Sequence, residues 1–120
     1  MPAPSQPSGP GFVTIADLPE RGRLTTGGFV EFVRYTPAAG APRFQASLVD
    51  RPAAPGGRRA AAPRIELLWH GRSRVPGIVP GAWVRVRGAV STVRGVPTMY
   101  DPHYEILASH RELAGTERSA

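Results

Sequence analysis

The chain has 120 residues, no cysteine, 14 glycines, 14 prolines and a formal net charge of +6. That length allows one domain, the missing cysteines exclude a disulfide framework, a cysteine-ligated zinc site and a thiol nucleophile, and no apolar run approaches the roughly 20 residues a membrane-spanning helix needs. The excess base points to a polyanionic partner and sits away from the ends, since residues 21–104 hold thirteen arginines against Glu31, Asp50, Glu66 and Asp101, a net +9.

Residues 1–11 are rich in Pro, Gly and Ser and have no apolar periodicity, so they are expected to form a disordered arm. They show neither the basic start nor the apolar stretch of a signal peptide, which leaves a soluble cytoplasmic protein as the expectation. The first strand is expected over Arg23 to Tyr35, with a bulge at Gly27-Gly28 bending it around a barrel corner. After the Pro-rich break Thr36 to Pro42, the second strand runs from Arg43 to Asp50. Phe44, Ala46 and Leu48 lie on its inner face, with Arg43, Gln45 and Ser47 on the outer one. The loop Arg51 to Pro63 carries Arg51, Arg58 and Arg59 and no acid.

The third strand, Arg64 to His70, sets Ile65, Leu67 and Trp69 inward and Arg64, Glu66, Leu68 and His70 outward. Gly71 to Gly81 is a connection broken by Pro76 and Pro80, with room for one helical turn at most. The fourth strand, Ala82 to Val90, alternates Val84 and Val86 with Arg85 and Arg87 and reaches a possible bend at Gly88. A turn at Arg94-Gly95 leads into the fifth strand, Val96 to Tyr100, which continues past Asp101-Pro102 to Leu107. The tail 108–120 is expected to be flexible, with a weak turn around His110 to Leu113. Five strands, two of them carrying bend glycines, and no long amphipathic helix suit an all-β closed barrel over residues 12–107.

Ile15 to Pro19, Val75-Pro76-Gly77-Ile78-Val79-Pro80-Gly81, Val84-Arg85-Val86-Arg87-Gly88 and Met99-Tyr100-Asp101-Pro102-His103-Tyr104-Glu105-Ile106-Leu107 resemble the small OB-fold nucleic-acid-binding proteins of actinobacteria. More distantly, the chain is similar to the wedge domain of the RecG branch-migration helicase. The resemblance covers residues 13–107 and implies a five-stranded Greek-key OB-fold barrel, with Tyr100 and Tyr104 as barrel-closing residues. The long loop after Asp50 departs from it, standing where these proteins have a short hairpin.

OB barrels hold single strands across their second and third strands, following the backbone with cations and stacking bases on aromatic faces. The candidate nucleic-acid-binding residues are therefore Arg43, Arg64 and His70 on that face, and Arg58 and Arg59 overhanging it. Arg34 and Tyr35 lie beside the first flanking loop, Arg94 in the other, and Arg72 and Arg74 in a basic turn after the third strand. Tyr35 is the leading stacking candidate. Trp69 and Phe44 read as core, so arginine rather than aromatic contact is expected to dominate.

The three histidines lack the spacing of a zinc site, and neither a G-x-S-x-G serine nor a phosphate-binding lysine loop is present. No cofactor, metal or enzymatic activity is expected. Two functions stay open: a sequence-tolerant binder of single-stranded DNA or RNA, and a protein-interaction module docking on an acidic partner.

Overall fold

A computed structural model describes residues 11–37, 39–52 and 63–113. The expected arm up to Pro10, Arg58 and Arg59 with the rest of 53–62, and the tail after Leu113 lie outside the described residues. Six strands form: β1 (Arg21–Thr36), β2 (Arg43–Val49), β3 (Arg64–His70), β4 (Trp83–Val93), β5 (Val96–Tyr100) and β6 (His103–Leu107). They lie in the order β1-β2-β3-β5-β4-β6, and a further pairing of β1 with β4 closes the sheet into a barrel. The β3–β5 contact is parallel and the other pairings between these strands are antiparallel.

The expected fifth strand is divided in two at Asp101-Pro102. Asp101 adopts a positive φ of 50° while its N–H donates to Leu68 O at 2.7 Å. Pro102 has no N–H to extend the ladder. The chain therefore leaves β3 and continues along β4 alone as β6. Gly88 sits where the partner of β4 on that side changes, from β6 up to Arg87 to β5 from Val90.

Closure rests on β1, whose residues Arg21–Phe29 pair with β4 and whose residues from Phe29 to Thr36 pair with β2. The glycine pair in this strand is not a bulge, because Gly27 and Gly28 continue the β4 ladder without a shift. Their role is close approach. A methyl on Gly27 would stand 2.5 Å from Val84 O, and one on Gly28 would overlap the Val49 carbonyl oxygen. The register shift falls instead between Val30 and Phe32 and leaves Glu31 as the extra residue. An extra residue reverses the alternation, so Val30 faces the core opposite Leu48 and Phe32 faces outward opposite Ser47.

The inner faces of β2 and β3 are as expected: Phe44, Ala46, Leu48, Ile65, Leu67 and Trp69 are all buried. Val84, Val86, Val90 and Met99 complete the barrel interior, and Val75 and Ile78 from the β3–β4 connection join the same cluster. Each such side chain contributes about 1.5–3 kcal/mol of transfer free energy. In place of a longer helix the connection makes turns, in which Ile78 N–H donates to Val75 O and Ala82 N–H to Val79 O, both at 3.1 Å.

The weak turn expected near the C-terminal end forms as the 3₁₀ turn His110–Glu112, and it is held on the barrel. The Arg85 guanidinium donates to Glu112 O at 2.7 Å and Leu113 O at 3.2 Å while its Nη2 meets Glu105 Oε1 at 2.6 Å. His110 packs edge-on against Trp83, their ring centroids 5.1 Å apart. The stretch to Leu113 is thus anchored rather than loose.

Candidate nucleic-acid interface

Strand register defines the outer face of β1, β2, β3 and β5. Phe32, Ser47, Glu66 and Thr98 form one row across it; Arg34, Gln45, Leu68 and Tyr100 form the next; Thr36, Arg43 and His70 form a third. Directly opposed residues in a sheet lie on one side, so these side chains share one surface.

At the centre of this surface is a closed polar network. Gln45 Nε2 and Ser47 Oγ donate to the two Glu66 oxygens at 2.9 and 3.1 Å. Arg64 Nη1 donates to Ser47 Oγ at 2.7 Å, and its Nη2 pairs with Glu31 at 2.9 Å. Arg64, a candidate nucleic-acid-binding residue, is engaged by the bulge residue and by β2. With Glu31 and Glu66 against Arg64, the network carries one more acid than base. Charge at the middle of the face is weaker than the composition implied.

The aromatic content, in contrast, is greater. Phe32 is 36% exposed, with the Arg34 and Arg64 guanidinium carbons each 6.0 Å from its ring centroid, at the outer limit of cation–π contact. Tyr100 is 47% exposed and lies against His70 with centroids 5.6 Å apart and planes 14° from parallel. The expectation of Tyr100 as a barrel-closing residue is thus corrected, since its parallel register with Leu68 turns it outward. His70 is fixed beneath it: its N–H donates to Asp101 Oδ1 at 3.1 Å, and its Nδ1 lies 3.5 Å from Asp101 Oδ2. Tyr104 keeps a structural role, edge-on to Trp69 and donating to Pro76 O at 2.9 Å.

Tyr35 is 44% exposed but opposes Phe44. It therefore shares the inner side, at the end of β1, and does not join the Phe32–Tyr100 surface. Trp69, 4% exposed, is core as expected.

Arg34 and Arg43 are exposed on the outer face. Arg72 and Arg74 are exposed in the β3–β4 connection, next to the end of β3 that holds His70. Arg94 is exposed at the tip of the β4–β5 hairpin, beyond the Ser91–Thr98 pair and so toward the Arg64 end of β3. The cations therefore bracket the aromatic surface from its two ends. Among the sequence candidates, Arg34, Arg43 and His70 come together on one face, Arg72, Arg74 and Arg94 border it, and Tyr35 does not join it. Sequence reading missed Phe32 and Tyr100.

A closed barrel of this kind has a counterpart among solved structures. The fold is an OB fold. The chain is similar to the OB domain of Ta0387 from Thermoplasma acidophilum, known from a solution NMR structure. The TM-score is 0.53 at 14% sequence identity, over 82% of this chain and 89% of that one. At that identity the likeness is one of fold. No protein-family model and no curated protein matches the chain.

Proposed function

We propose that this OB barrel is a non-enzymatic binder of single-stranded nucleic acid, DNA or RNA, with little dependence on sequence. One observation carries the reading: Phe32 and the Tyr100–His70 stack are exposed on the same surface, Phe32 and Tyr100 standing on strands three spacings or about 14 Å apart and two residues apart along them, with Arg34 and Arg43 on the strands between or beside them. Stacking on rings accepts any base, because every base has a π face, and a positive margin follows the backbone. The OB fold type, which serves oligonucleotides and proteins alike, supports this class of ligand. The resemblance to actinobacterial nucleic-acid-binding OB proteins points the same way, and a cytoplasmic location belongs to the same proposal.

The emphasis differs from a purely electrostatic binder. Stacking fixes bases on Phe32 at one flank of the polar centre and on Tyr100 at the other, while Arg34, Arg43, Arg72 and Arg94 neutralise phosphates around them. Four such contacts give a slope of log K against log salt near −3, at about 0.7 per phosphate for single strands.

Fluorescence anisotropy with labelled single- and double-stranded oligonucleotides over a salt series tests this. Saturable binding that prefers single strands is expected, weakened by about 1–3 kcal/mol in Phe32→Ala and again in Tyr100→Ala. Absence of binding at low salt would overturn the reading and favour the second one, a protein-interaction module for an acidic partner.

A further inference from the structure

The opposite wall of the barrel is also basic. On the outer side of the β1–β4–β6 sheet, Thr25 opposes Arg87, which opposes His103; Arg23 and Arg21 follow along β1 opposite Ala89 and Ser91. Arg21, Arg23, Arg87 and His103 are exposed. The adjoining Glu105 is held by Arg85 at 2.6 Å, and Glu20 stands at the far end beside Arg21.

This wall is continuous with the candidate interface. Asp101, which anchors His70 under Tyr100, lines a cavity of about 360 Å³ together with Trp69, Arg72 and His103. A second cavity, of about 200 Å³, takes up His103 again with Thr25 and Arg87. His103 and Tyr104 line both. A groove thus turns the corner at Asp101-Pro102, with Arg72 at the corner, then the His103 imidazole and Arg87, and beyond it Arg23 stands two residues along β1 from Thr25 on the same side. The Asp101 carboxylate at the turn is engaged by the His70 N–H and faces its imidazole.

We propose that a long single strand does not end at the edge of the aromatic face but follows this groove around the barrel, its phosphates met in turn by Arg72, Arg87 and Arg23. The inference rests on the single-strand reading above. Its occupant is set by charge complementarity and by continuity with that face: the groove offers cations along a line and few exposed rings, which suits a phosphodiester backbone leaving a stacking platform. Arg85 also lines the second cavity but is committed to Glu105 and the C-terminal carbonyls, so Arg23 and Arg87 are the residues to change.

The test separates the two faces by strand length. One OB face covers on the order of 4–16 nucleotides, so oligothymidylates of about 6 and about 24 residues sample the front alone and the full path. In Arg23→Ser/Arg87→Ser, binding of the long strand should weaken about tenfold and its salt slope should fall by about 1.4, while the short strand keeps its affinity within about twofold. Phe32→Ala should weaken both lengths. Equal losses for both lengths in the double variant, or none for the long strand, would overturn the wrapped path. If the unaltered protein fails to bind even the short strand, the single-strand reading itself falls, and the wrapped path with it.

Discussion

Thr26 shows how narrowly single residues are fitted. It is fully buried, faces the core opposite Val86, and its hydroxyl finds no partner among the described residues. An unpaired buried hydroxyl costs about 1–3 kcal/mol in lost solvation, while valine keeps the shape and removes the polar atom. Thr26→Val is expected to raise stability by about 1 kcal/mol, read as a higher urea midpoint with an unchanged slope. A lower midpoint would mean that the hydroxyl has a partner after all. The same scale shows why some site residues were legible and others not. Trp69 and Phe44 could be assigned to the core because β2 and β3 keep an unbroken period of two. Phe32 could not, since the side it takes depends on the bulge at Glu31. Glutamate carries no bulge signature, and the glycine pair nearby offered a more plausible but incorrect place for one. Tyr100 depended on a parallel pairing with β3 that no local pattern encodes.

At the scale of elements, the β4–β5 hairpin joins Val93 to Val96 through Arg94 and Gly95, at φ of 53° and 81°. Two central residues with positive φ make a type I′ turn, which favours Asn-Gly. Glycine is therefore suited to the second place, but arginine is a strained choice for the first, a kind of strain worth about 1 kcal/mol or more. Such a residue is readily explained if its charge is used. Arg94→Asn is expected to stabilise the fold by about 1 kcal/mol while lowering the single-strand salt slope by about 0.7. Urea unfolding and the anisotropy series measure the two effects independently, and a stabilised variant with unaltered binding would remove Arg94 from the interface. Turns of this kind were readable from Gly and Pro placement, as were the strand segments. The anchoring of the C-terminal turn was not, because it is fixed largely by Arg85 bonding main-chain carbonyls. Composition near Leu113 gives no sign of such contacts.

For the whole molecule, the decisive event is closure, and it passes through one short stretch of β1. At Phe29 the strand is paired with Trp83 on one side and Val49 on the other, so the two halves of the barrel meet where Gly28 lies against the Val49 main chain. Most pairings joined there are distant in sequence, and their loop-closure entropy is offset only when the ring is complete. A side chain at Gly28 cannot be absorbed by a rotamer change, because the atom it meets is a backbone carbonyl. It must instead separate β1 from β2, exposing the Val30 and Leu48 side chains packed beneath. Gly28→Ala should therefore cost about 3 kcal/mol or more, a large part of the 5–15 kcal/mol typical of a domain. Because the ring closes or opens as a unit, the loss should appear as one cooperative urea transition at a lower midpoint. Retention of wild-type stability would show that β1 can shift at this point, and separate transitions for the two halves would show that closure is not the step that makes the barrel cooperative.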